Sequence, residues 1–291
     1  MHLQSLKKRA RWLAPILAAV LAGPSTAQVS LLNASYDVSR EFYKDYNAAF
    51  QRHWQQTTGQ SITLKQSHGG SSRQAASVIA GLEADVITMN QAIDIDILHD
   101  RGRLIPADWA KRLPDASAPN ASVTVILVRP GNPKGIKDWA DLARPGVSVV
   151  IPNPKTSGNG RYTYLAVWGS VVKSGGTSAQ ARQLVQGVFA NVPVFDGGGR
   201  AATTTFAQRG IGDALATIES EVPLIKAEFG GDYQVVYPKS TVLAENPVSV
   251  VDRVVDKRGT RREAEAYLRY LWSDEGQALA VKHNLRPRSA G

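Results

Sequence analysis

The 291-residue sequence has no cysteine. That excludes thiolate nucleophiles, cysteine-held metals and disulfide staples, so stability has to come from a sizeable buried core. Histidine is scarce, with five residues. His53, His99 and His283 are isolated, and no H-E-x-x-H or comparable ligand spacing occurs, so no metal site is expected. Long apolar runs are missing as well. The stretch from Trp12 to Ala22 is about half of the roughly twenty residues that a membrane helix needs, and Pro15 and Gly23 interrupt it. The phosphate-loop pattern G-x-x-x-x-G-K-[ST] and the dinucleotide pattern G-x-G-x-x-G are absent, so no nucleotide cofactor is expected. No G-x-S-x-G elbow surrounds a serine, and His68 near Ser71 lacks a motif that would make it a general base. These absences leave the catalytic readings poorly supported and imply no cofactor.

What is present begins with export. Lys7, Lys8, Arg9 and Arg11 precede the apolar run, and Ser25-Thr26-Ala27 follows it, the pattern of a secretory signal peptide over residues 1–27. The mature chain would start at Gln28 and work in the periplasm. The formal charge of +9 shrinks to a mild positive excess once the four basic residues of the leader are removed. The remaining Lys and Arg are scattered, without the basic stripe or interleaved aromatics of a nucleic-acid binder, so no nucleic-acid partner is expected. A mild excess suits an anionic ligand.

Periodicity then reads as α/β, with short β-rich runs alternating with amphipathic stretches. Val29–Asn33, Ile62–Gln66 and Asp85–Met89 read as strands. Phe42, Tyr46, Phe50 and Trp54 recur every four residues on one face of a helix beginning near Ser39, and Ser71–Leu82 reads as a second helix. Val123–Val128 reads as a crossover, followed by strands at Val147–Ile151, Val192–Phe195 and Asp213–Ile218. Val248–Val251 would cross back, with helices over Arg261–Trp272 and Ser273–His283. The expected division is one lobe over residues 28–120 and 245–291 and a second over 121–244. Asp94, Asp96 and Asp100 read as the solvated face of a helix.

Three glycine- and serine-rich segments stand where a strand ends and a helix begins: Ser67-His68-Gly69-Gly70-Ser71-Ser72, Thr156-Ser157-Gly158-Asn159-Gly160 and Asp196-Gly197-Gly198-Gly199-Arg200. Helix starts carry unpaired N–H groups and partial positive charge, glycine allows close approach, and serine adds a hydroxyl donor. In open α/β sheets ligands settle beyond the carboxyl ends of strands. Any one segment reads equally as a cap and turn; three together point to an anion.

At these same segments the sequence resembles the periplasmic sulfate- and thiosulfate-binding proteins of ABC importers. The stretches that carry the resemblance are Leu31-Leu32-Asn33-Ala34-Ser35-Tyr36-Asp37, Gln66-Ser67-His68-Gly69-Gly70-Ser71, Arg129-Pro130-Gly131-Asn132-Pro133-Lys134, Pro152-Asn153-Pro154-Lys155-Thr156-Ser157-Gly158 and Arg209-Gly210-Ile211-Gly212-Asp213. It implies a two-lobed periplasmic binding protein of type II with the ligand in the interlobe cleft, acting as a monomer and delivering its ligand to the membrane subunits of an importer. It further implies that the N–H of Asp37, the hydroxyls of Ser71 and Ser157, and N–H groups near Gly158, Asn159 and Gly199 surround the oxyanion. A site of donors should reject phosphate, which carries a proton near neutral pH and needs an acceptor.

Tyr162-Thr163-Tyr164-Leu165, Thr203-Thr204-Thr205-Phe206 and Met89-Asn90-Gln91 resemble the thiosulfate-binding branch. The resemblance departs from the sulfate-binding members at Ile218, where they have a donating tryptophan, and at Asn159, where they have glycine. Asn90, at a strand end, is a further candidate donor that could equally cap the next helix. Thiosulfate is therefore the expected ligand, with sulfate also bound; phosphate, molybdate or a sulfonate is the alternative. Family members usually run some tens of residues beyond the position of Gly291.

Overall fold

The computed structural model describes residues 28–288, so the expected signal peptide lies outside the described residues. Two sheets organise the chain. The first has the order β2-β1-β3-β9, built from β1 (Val29–Tyr36), β2 (Ile62–Gly69), β3 (Val86–Thr88) and β9 (Val248–Val250). β1 pairs in parallel with β2 and β3, while β9 runs antiparallel to β3. Parallel strands require a crossover, supplied from β1 to its neighbour β2 by helix α1 (Arg40–Thr58) and from β2 to β3, on the other side of β1, by α2 (Ser71–Ile79).

The apolar face expected for α1 is the one buried: Phe42, Tyr46 and Phe50 are at most 4% exposed. They pack with Trp54, Tyr267 and Leu268 on one side of the sheet, where Tyr46 and Tyr267 meet edge-to-face at 5.1 Å. Gly59, left-handed at φ 71°, ends the helix with its N–H on Gln55 O. On the other side of the sheet Ala75, Val78, Ile87, Met89, Ile95 and Leu98 form a second core.

The second sheet has the order β10-β4-β6-β5, with β7 and β8 also paired to β4. Its axis is β4 (Asn120–Val128), nine residues that are all buried. The apolar residues that dominate it from Val123 to Val128 suit a strand covered on both faces, and Asn120, Ser122 and Thr124 are the polar residues buried along it. Around it stand β5 (Val149–Val150), β6 (Ala214–Ile218), β7 (Gln234–Val236), β8 (Leu243–Glu245) and β10 (Arg286–Pro287). Trp139, Val149, Val167, Val188 and Ala216 fill one core and Val125, Leu127, Phe206, Leu215 and Ile225 the other.

Each sheet thus has its own core on both faces, which is the mixed α/β, two-lobed type II architecture. The chain passes between sheets near Asn120 and Asn246. There Asn246 N–H donates to Asn120 O at 3.0 Å and its side-chain amide to Asn120 Oδ1 at 2.7 Å, so the two passing strands are bonded to each other. Arg286 and Pro287 pair with the first two residues of β4 at the same place.

Two expectations are corrected. Val192–Phe195 is not a strand: Pro193 has no N–H for a ladder, Val194 and Phe195 are exposed, and the segment is a loop tied by the Asn153 N–H on Asp196 O. Asp94 is not solvated. It lies in α3 (Ile93–Asp100), 2% exposed, because a cation from the other sheet reaches it.

Candidate functional site

The ends of the central strands of both sheets converge on one place. From the first sheet come Asp37 after β1, Gly70 between β2 and α2 with Ser71 as the first residue of α2, and Asn90 after β3. From the second come Ser157, Gly158 and Asn159 at the start of α5 (Gly158–Lys173), Gly199 at the start of α7 (Gly199–Thr203), and Ile218 at the end of β6. The first two Ser/Gly segments do join a strand to a helix; the third opens a helix after a loop.

Contact across the cleft is close. A β-carbon built on Gly70 would stand 2.4 Å from Thr156 O and 2.5 Å from Gly197 O, both backbone atoms of the other half. The Asp37 carboxylate accepts the Arg200 N–H at 3.0 Å, so a side chain of the first half caps a helix of the second.

The polar groups here are buried and sparsely paired. Ser71 is 1% exposed, and its hydroxyl is given to Met89 Sδ at 3.3 Å, a weak acceptor. Ser157 is 2% exposed and occupies the cap position of α5 without capping it. Asn159 Nδ2 and Asn90 Oδ1 are buried without partners. Unpaired buried donors cost stability unless something accepts from them. Ile218 joins Tyr36, Val38, Tyr162 and Ala244 in a small apolar cluster drawn from both halves; its Val38 member approaches Gly199, where an added β-carbon would lie 2.8 Å from Val38 Cγ1.

Two arginines stand behind this layer. Arg161, one turn into α5, bonds Gln91 Oε1, Ser72 Oγ and Asp94 Oδ2, all on the first half. Arg200 reaches Glu41 of the first half at 2.7 Å and Glu228 and Glu221 of the second at 3.3 and 3.5 Å. Sequence reasoning passed over both. The available signal was the four-residue step from Ser157 to Arg161, which sets them on one helical face; the distant partners had none.

Glu221 is 1% exposed, and burial pushes its carboxyl up to about 8 against the opposing pull of Arg200. The folded protein therefore keeps this proton where the unfolded chain has released it. Between the ordinary glutamate value and about pH 8 the unfolded state binds fewer protons, so stability falls as pH rises, by at most about 1.4 kcal/mol per unit. Chemical denaturation between pH 5 and 8 should show that decline, and Glu221→Gln should flatten it. An unchanged slope in the variant rules the carboxyl out as its source.

The chain is 60% identical to the thiosulfate-binding protein of Pseudomonas aeruginosa over 279 residues, 95% of this chain and 84% of the relative. It is 52% identical to the sulfate-binding protein of Escherichia coli over 264 residues, 90% and 80% of the two chains. Among solved structures, the sulfate-binding protein SubI from Mycobacterium tuberculosis superposes with a TM-score of 0.81 at 28% identity, covering 90% of this chain and 88% of its own. Residues 31–286 match the family model described as bacterial extracellular solute-binding protein, and the chain belongs to that family.

Proposed function

We propose that this chain captures thiosulfate, and sulfate less tightly, in the cleft between its two lobes and hands the ion to the membrane subunits of an ABC importer. The observation that carries this reading is the pair of buried serines at helix starts of the two halves, Ser71 with only the Met89 sulfur as acceptor and Ser157 at the cap position of α5 without capping it. A dianion held by neutral dipoles in a water-poor site gains from every donor aimed at it and needs no cation in contact. The N–H groups of Asp37, Gly158, Asn159 and Gly199 complete the set. In this reading residues 28–120 and 245–291 form one lobe and 121–244 the other. The protein is exported by its first 27 residues, acts as a monomer in the periplasm, and binds its ion without turning it over.

Ile218 supports thiosulfate. Buried in one cluster with Val38, it gives the site an apolar wall in this reading, which suits the softer terminal sulfur; where the side chain could have donated, an all-oxygen dianion loses about 1.5–3 kcal/mol. Titration calorimetry with both anions tests the assignment directly: thiosulfate should bind more tightly, and equal or tighter sulfate binding would overturn the preference. Ile218→Trp should raise sulfate affinity relative to thiosulfate by roughly tenfold. An unmoved ratio would place Ile218 outside the site.

A further inference from the structure

Half of the exposed large apolar side chains gather on one face. Of the ten among the described residues, five lie within residues 164–195: Tyr164, Leu165 and Val172 on α5, and Val194 and Phe195 in the loop that leads to α7. Tyr164 stacks on Trp168 with ring centres 6.1 Å apart and meets Phe189 of α6 (Ser178–Ala190) edge-on at 6.1 Å. Phe189 in turn meets Phe195 at 5.9 Å. The rings therefore form one aromatic band across α5, α6 and the loop. Single surface aromatics need no explanation, whereas a contiguous band marks a surface that something covers.

The charges around the band have one sign. From Leu142 to Phe195 the sequence has five Lys or Arg and no Asp or Glu. Arg144 and Arg161 are committed to Asp141 and Asp94. Lys155, Lys173 and Arg182 are exposed and pair with no carboxylate among the described residues. Lys173 follows Val172, and Arg182 stands two turns before Phe189, on the same side of α6. Three separate cations border the band without forming the dense track that a polyanion needs. What complements them is an apolar protein surface edged by carboxylates.

Position narrows the partner. Phe195 directly precedes the segment Asp196-Gly197-Gly198-Gly199, and Tyr164 and Leu165 lie in the second turn of α5, whose first turn carries Gly158 and Asn159. On the other half Ile93 is exposed between Gln91 and Asp94, which hold Arg161, one turn before Leu165. The band thus borders the seam of the cleft. We propose that the α5–α6 face, with the loop at Val194 and Phe195, is where the membrane subunit of the importer seats, through an apolar patch of that subunit edged by Asp or Glu. This rests on the delivery reading above and adds its surface and its chemistry. The aromatics supply the contact area, and the three cations orient the approach.

The test places the thiosulfate-loaded protein on its importer in proteoliposomes and follows ATP hydrolysis. Tyr164→Ser with Phe195→Ser should raise the concentration for half-maximal stimulation about tenfold or more, since exposed aromatics dominate protein contacts. Lys173→Glu with Arg182→Glu should raise it comparably at low salt and less at about 0.5 M salt, because exposed charges are screened. Calorimetric affinity for thiosulfate should stay within about twofold in both, as for surface substitutions remote from the ion. Val281→Ser, at an exposed apolar residue outside the band, should change neither quantity.

An unmoved half-maximal concentration in both double variants overturns the inference. So does a loss of thiosulfate affinity as large as the loss of stimulation, which would assign the face to the cleft. Binding to vesicles of anionic phospholipid without the importer, abolished by the same substitutions, would make the occupant a lipid surface; a dimer in solution that they dissociate would make it a second copy. Either result also overturns the inference. If the unsubstituted loaded protein does not stimulate the importer, the delivery reading fails and this inference with it. Full stimulation by both variants overturns this inference alone.

Discussion

Gly70→Ala should reduce thiosulfate affinity roughly 100-fold while leaving the melting temperature of the ligand-free protein nearly unchanged. The backbone at Gly70 lies at φ −55°, which alanine adopts freely, so the substitution carries no local strain. The obstacle is across the cleft, where the new methyl group would stand 2.4 and 2.5 Å from the carbonyl oxygens of Thr156 and Gly197. Both belong to backbone that cannot rotate aside, which sets the cost near the upper end for overpacking, about 3 kcal/mol. That cost exists only where the two halves touch. An opened protein escapes it, so the penalty falls on closure around the ligand and converts to about two decades in Kd. Calorimetry beside a thermal melt separates the two. Undiminished affinity would mean that ligand is bound without the approach seen here, and a large loss of ligand-free stability would mean that the halves do not part.

Arg161→Met should have an effect of similar size by a different route. Arg161 is the cation that reaches Asp94, whose side chain is 3% exposed, and it also holds Gln91 and Ser72. Methionine replaces the length of the stem and removes the charge. Asp94 is then a buried carboxylate without its partner, a state that costs about 3–5 kcal/mol when water cannot return. Opening of the cleft readmits water to Asp94, so here too the penalty appears in affinity, as a loss of roughly 100-fold. Adding Asp94→Asn should restore part of it, because a neutral amide tolerates burial better than an unpaired charge. Full affinity in Arg161→Met would show that the pair contributes nothing to closure. No rescue in the double variant would assign the arginine's role to Gln91 and Ser72 instead.

Both arguments turn on contacts between residues far apart in the chain, and the division between what was and was not legible in the sequence follows the same line. The buried face of α1 was readable because a helix repeats its facing every three to four residues, and Phe42, Tyr46, Phe50 and Trp54 declare that period without reference to any partner. The β4 run was readable because a strand covered on both faces is predominantly apolar and β-branched, as Val123–Val128 is apart from Thr124. The Ser/Gly segments were readable as helix starts because caps and close approaches impose local residue choices. Val192–Phe195 misled because β-branched and aromatic residues favour a strand but do not provide one; Pro193 and the lack of a covering layer decided against it.

Asp94 misled for the complementary reason. Its place in an acidic, helical stretch is a local property, whereas its burial depends on Arg161 arriving from the other sheet. Composition, hydropathy period and glycine placement thus determined the α/β class, the helix starts and the kind of ligand they favour. The meeting of the two halves was decided only in three dimensions: Gly70 against Thr156 and Gly197, Asp37 against the start of α7, Asn90 against Asn159. Local sequence preferences act over a few residues, while these contacts join positions about 70 to 160 residues apart, and loop closure over such spans leaves no periodic trace in the chain.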